Sequence, residues 1–172
     1  ENAVYVACSH TQSARALPTT ISFDKQLLEE QFCAVEAGMH GSVESIKRLV
    51  SVGHVAGQTI LNIVDAATKC LKAQGSVGEI WVSGPSKAQG YWGRPELSRE
   101  TFEATISGDA SGTHYLRTGD LGFLHQGELY VCGRLKDLII VQGKNFYPQD
   151  IERAVEASHP GLRPGCSAAF GV

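Results

Sequence analysis

The sequence predicts a mixed α/β chain, with a distorted β-barrel followed by the first strands and helix of a smaller α+β unit. Three observations carry this. Short segments that alternate apolar and polar residues recur between 46 and 134, separated by glycine turns, at the spacing of a small barrel. A hairpin pattern at 121–131 folds back on His125-Gln126-Gly127. Beyond it the pattern changes: a continuous apolar run, Leu138-Ile139-Ile140-Val141, leads to a helix start at Tyr147-Pro148.

At 172 residues the chain has room for one or two domains. A net charge of −3 argues against a nucleic-acid or anionic-membrane surface. No apolar run is long enough for stable membrane insertion, and no secretory signal opens the chain. The five cysteines, Cys8, Cys33, Cys70, Cys132 and Cys166, are dispersed without a paired CxxC spacing. That set fits the reduced thiols of a cytoplasmic protein better than a disulfide frame or a zinc site. The chain opens on Glu1 rather than Met and closes on an apolar segment, 167–172, read as a strand. The expectation is a piece of something larger.

Taken in order, residues 3–8 have the β-propensity of a short buried strand. Residues 10–18 are polar and irregular, and 19–23 alternate as a strand. Asp24 is placed to cap a short helix running to Gln31, with Leu27 and Leu28 on its apolar face. Residues 32–35 are a further strand candidate, and 37–45 a loop. Residues 58–64 and 79–84 form two strands, with Ile80 and Val82 on one face and Trp81 on the other. Gly90 allows a tight turn, and Tyr91 and Trp92 are expected to cover a core edge. Residues 95–104 read as a helix opened by Pro95, with Leu97, Thr101 and Phe102 grouped on one side. A Gly/Ser loop at 107–113 precedes a strand at 115–117 that delivers Asp120 at its end. Residues 138–141 read as a strand buried on both faces. The following helix points Ile151, Ala154 and Val155 at the core, carries Glu152 near its positive end, and stops at His159-Pro160.

The chemistry concentrates in residues 115–150. Asp120 and Arg134 sit on two separate turns, and an acid and a guanidinium so placed suit one small polar ligand gripped from two sides. A ribose fits, since the carboxylate accepts two hydrogen bonds and the guanidinium donates in a fixed fork. Taken singly, Asp120 could equally be a turn-capping residue, and Arg134 a surface partner of Asp137 or Glu128.

Arg117-Thr118-Gly119-Asp120-Leu121 and Gly133-Arg134-Leu135-Lys136-Asp137 resemble consecutive late motifs of the acyl-adenylate-forming enzymes: acyl-CoA ligases, peptide-synthetase adenylation domains and luciferases. The run from Lys144 to Glu152, with Asn145, Tyr147, Pro148 and Asp150, is similar to that of the fatty acyl-AMP ligase branch. Gly78-Glu79-Ile80 and Gly90-Tyr91-Trp92 also match the family pattern and are read as structural.

The resemblance implies a domain division. Residues 1–135 are the last part of a large adenylation domain, with an insertion near 12–41 and the barrel at 46–134. Residues 136–172 are the hinge and the beginning of a small C-terminal domain. It implies roles as well. Asp120 and Arg134 hold the ribose of ATP, Lys136 and Asp137 form the hinge, and Gly143 and Lys144 form a turn used in the second step. Glu1 is the magnesium-side carboxylate. The catalytic lysine lies beyond Val172 and is not Lys144, so the chain alone is expected to be inactive.

The implied activity is ATP- and magnesium-dependent conversion of a fatty acid to acyl-adenylate with pyrophosphate release. The acyl group then passes to an acyl carrier protein or a polyketide or peptide synthase module. The long separation of Glu1 and Gly53 marks the insertion that, in the fatty acyl-AMP ligases, packs on the C-terminal domain and hinders use of coenzyme A. Two alternatives stand beside this: a fatty acyl-CoA ligase, and a catalytically silent adenylation-like module for binding or regulation.

Overall fold

The computed structural model describes residues 7–8, 18–38, 42, 45–142 and 144–171. Seven antiparallel strands form one curled half-barrel sheet. They are β1 (Ala7–Cys8), β2 (Thr20–Asp24), β3 (Ile46–Val55), β4 (Ile60–Val64), β5 (Gly78–Ser83), β6 (Leu116–His125) and β7 (Glu128–Arg134). Their order is β1-β3-β7-β6-β5-β4, with β2 also paired to β3. Two helices, α1 (Lys25–Glu30) and α2 (Pro95–Phe102), accompany this sheet. A 3-10 turn at Leu135–Asp137 then leads to a two-stranded sheet, β8 (Ile139–Val141) with β9 (Lys144–Phe146), and to α3 (Pro148–Ala157).

Strand β5 shows why the sheet is covered on both sides. Ile80 and Val82 face one cluster with Phe102 of α2 and Leu116 of β6, while Trp81 faces another with Val64 and Tyr115. The β6–β7 hairpin turns on Gln126 (φ 51°) and Gly127 (φ 81°). Two consecutive positive φ values match the right-handed twist of the flanking strands.

Helix α1 is only six residues long, too short to hold by itself. Asp24 caps it, its Oδ1 accepting from the Leu27 amide at 2.9 Å. Leu28 anchors it in a third cluster, where Phe23 meets Phe123 edge-on at 5.0 Å and Tyr130 at 5.5 Å. Such aromatic pairs add about 0.5–1.5 kcal/mol beyond burial. Tyr147, from beyond the 3-10 turn, enters the same cluster. So β2, α1, the half-barrel and the start of α3 share one core.

Several expectations are corrected. Residues 32–35 are not a strand: Phe32 adopts φ 52°, which breaks the extended backbone and leaves isolated bridges at Cys33 and Glu36. Asp120 is not at a strand end. β6 runs unbroken for ten residues and absorbs the glycine turn as an irregularity, with Gly119 at φ 74° and a register shift there against β5.

The 138–141 run is not buried on both faces. Ile140 and Val141 are 65% and 51% exposed, because the described part of their sheet has only two strands. Likewise Ala154 and Val155 of α3 are exposed and Ile151 is only partly buried, and Pro148 is the residue α3 buries. Residues 167–171 form no strand. Glu152 ties this tail back, its Oε1 accepting from the Ala169 amide at 3.0 Å. Tyr91 does cover a core edge, meeting Phe102 at 5.1 Å, but Trp92 is fully exposed.

Candidate functional site

Strand pairing sets the site. Asp120 and Arg134 are direct cross-strand partners on β6 and β7, and Arg134 Nε donates to Asp120 Oδ1 at 3.1 Å. Arg134 therefore pairs with Asp120 rather than with Asp137 or Glu128. Both side chains are open to solvent, 53% for Arg134 and 36% for Asp120, so their remaining hydrogen-bonding positions are accessible. Beside them lies a cleft of about 480 Å³, within the range that takes a small ligand. Arg134, Leu135 and Lys136 form one wall, and Thr118 and Gly119 the floor beside Asp120. Leu97 and Thr101 of α2 also line it.

The floor is held from β5. Glu79 is 2% exposed, and its Oε2 accepts from Arg117 Nε at 3.2 Å and Nη2 at 3.0 Å. Its Oε1 accepts from the Gly119 amide at 3.2 Å. Thr118 Oγ1 donates to the Ile80 carbonyl at 2.7 Å and accepts from the Asp120 amide at 3.0 Å. The groups freed by the irregular ladder are thus satisfied by two side chains. Arg117 also lies over the Trp81 ring, 5.6 Å from its centroid.

The other expected site residues fall elsewhere. Lys136 and Asp137 occupy the exposed 3-10 turn that leaves β7, and Lys136 reaches the cleft. Lys144 lies on β9, where its Nζ meets Glu30 of α1 at 3.0 Å. Glu1 and Gly143 lie outside the described residues. Among the described residues no group of three or more His, Cys, Asp or Glu is arranged to hold a metal ion.

A second constellation joins α1, β3 and the β9–α3 unit. Lys47 Nζ bridges Glu29 Oε1 at 2.8 Å and Asp150 Oδ2 at 2.5 Å, with only 11% of its side chain exposed. The ammonium also sits 4.1 Å from the Tyr147 ring centroid. Buried Asn145 donates its Nδ2 to the Glu29 carbonyl at 2.8 Å. Burial pushes the neighbouring Cys132 thiol up to about 12, with nearby Lys47 opposing the rise. Burial also raises the Tyr147 phenol, helped by Cys132 and Glu29. Its buried hydroxyl lacks a good hydrogen-bond partner, the Cys132 thiol beside it being a weak one.

The sequence marked Glu79 as structural and Asn145 only as part of a family run, and gave no role to Lys47 or Glu29. One signal was available. Glu79 is a charge inside a strand pattern whose neighbours Ile80, Trp81 and Val82 are apolar, and a buried charge demands a partner.

No protein-family model matches the chain. It is 49% identical over 129 residues to JamA, the medium-chain-fatty-acid–[acyl-carrier-protein] ligase of Moorena producens, covering 74% of this chain and 21% of JamA. A solved structure from work on fatty acyl-adenylate ligases of E. coli and L. pneumophila matches 99% of the chain at 35% identity, with a TM-score of 0.81, and the match is 28% of that protein. The L. pneumophila fatty acyl-adenylate ligase in complex with acyl adenylate and pyrophosphate matches 91% at 41% identity, with a TM-score of 0.63, covering 26% of that chain. The chain belongs to the acyl-adenylate-forming, AMP-binding superfamily. Within it the likeness is to the fatty acyl-AMP ligases, of whose length the chain spans about a quarter.

No helix of the described residues is long and apolar enough to cross a membrane.

Proposed function

We propose that the protein containing this chain activates a fatty acid with ATP, forming acyl-adenylate and pyrophosphate, and passes the acyl group to a carrier protein. The observation that carries this is the Asp120–Arg134 pair at the edge of a ligand-sized cleft. In this reading a carboxylate oxygen of the fatty acid attacks the α-phosphorus and pyrophosphate leaves. Asp120 accepts hydrogen bonds from the ribose hydroxyls, and Arg134 shifts part of its fork onto the sugar. Nucleotide held this way presents its α-phosphorus at a fixed angle, and positioning of this kind is a large share of phosphoryl chemistry. Glu1 would be the carboxylate that holds magnesium, which would supply neutralisation of phosphate charge.

The domain division follows in the same reading. Lys136 and Asp137 are the pivot, and Gly143 with Lys144 belongs to the second-step surface. The insertion, through Glu29 and Glu30 of α1, holds the β9–α3 unit by Lys47, Lys144 and Asn145. That attachment favours carrier-protein transfer over coenzyme A, in line with JamA being an acyl-carrier-protein ligase.

Fatty-acid-dependent ATP–pyrophosphate exchange by the full-length protein tests the activity, and absence of exchange would leave the silent-module alternative. Thioester formation with coenzyme A separates the two ligase readings. Removing the insertion should raise it; no gain would remove the branch argument.

A further inference from the structure

We infer that Glu79 is a positioning residue for the nucleotide site, acting through the backbone of Thr118-Gly119-Asp120; this rests on the ribose role of Asp120 proposed above. Glu79 lies on β5 among Ile80, Trp81 and Val82, all buried and apolar. A buried ion pair with Arg117 in such a strand gives little stability over an apolar pair of similar volume. Its geometry does something an apolar pair cannot. One carboxylate oxygen takes two prongs of the Arg117 guanidinium, and the other takes the amide of Gly119.

Gly119 precedes Asp120 and adopts φ 74°, in the stretch where the β5–β6 register shifts, between the Trp81–Arg117 and Glu79–Leu121 pairs. Its backbone is therefore not fixed by regular pairing. Glu79 fixes it instead, while Thr118 ties the Asp120 amide to the Ile80 carbonyl. The Asp120 carboxylate is thereby aimed without Glu79 touching the ligand. Arg117 and Glu79 both border the same cleft as Thr118 and Gly119.

The test uses the full-length enzyme and compares Glu79→Gln, Asp120→Ala and the double variant in pyrophosphate exchange. Glutamine keeps an acceptor for Gly119 but loses the charged fork to Arg117. Glu79→Gln is expected to raise KM for ATP about tenfold, leave kcat within about twofold, and reduce the preference for ATP over 2′-deoxy-ATP. Added to Asp120→Ala it should cost nothing further, because it acts only through Asp120. Arg117→Lys should show the same pattern and serves if Glu79→Gln does not fold.

An unchanged KM for ATP in both variants overturns the inference. So does a loss that adds fully to that of Asp120→Ala, or one spread equally over KM for the fatty acid. The underlying ribose reading fails separately, if Asp120→Ala leaves the preference for ATP over the deoxy analogue intact.

Discussion

Arg134 and Asp120 sit opposite each other in the β6–β7 ladder, and their side chains meet at 3.1 Å while more than a third of each remains in solvent. An exposed pair of this kind contributes only about 0–1 kcal/mol to folding. Asp120→Ala should therefore change the urea midpoint of the full-length protein very little. Its pyrophosphate exchange should fall at least tenfold, since ribose contacts to a carboxylate are worth about 1.5–3 kcal/mol. Comparable losses in both measurements would make the pair structural.

Lys47 is the reverse case. Its ammonium is almost enclosed between Glu29, Asp150 and the Tyr147 ring. Lys47→Met strands two carboxylates, and breaking a buried pair by removing one partner costs about 3–5 kcal/mol. The measurement is equilibrium unfolding in urea, with hydrogen exchange of α3 as the local readout. Adding Glu29→Gln and Asp150→Asn should recover part of the loss. A cost under ~1 kcal/mol would mean the bridge holds nothing.

Gly133 owes its identity to Tyr147. A Cβ there would lie 2.6 Å from the Tyr147 ring, inside the cluster around Phe23. Gly133→Ala should destabilise by about 1–3 kcal/mol through overpacking. Tyr147→Leu in the same chain should return some of that stability, whereas Tyr147→Leu alone should destabilise. Calorimetry of the three variants decides it.

Cys132 gives a pH dependence with a definite sign. Its thiol is pushed from 9.0 up to about 12 by burial, so the folded state holds a proton that the unfolded state releases first. The contribution is fully present below pH 9 and is lost as pH rises from about 9 to about 12. Cys132→Ala should flatten the fall in stability between pH 8 and pH 10.5. In the folded protein, thiol reagents at pH 8 should modify exposed Cys70 and Cys166 well before Cys132. Equal labelling rates would show that Cys132 is not enclosed.

The sequence by itself determined the local features. Asp24 caps α1 because a short acid at a helix start can accept from an amide of the first turn, and the β6–β7 hairpin closes where a glycine permits positive φ. It also determined the family, because the runs around Asp120, Arg134 and Tyr147 keep their order and spacing. Tertiary structure alone decided the partners. That Arg134 turns to Asp120, that Glu79 reaches Gly119, and that Lys47 meets Asp150 depend on strand register and on pairs as many as 103 positions apart. Exposure was decided there too. An apolar run such as Ile139–Val141 fixes the tendency to be buried, but only the layers placed beside it determine whether it is.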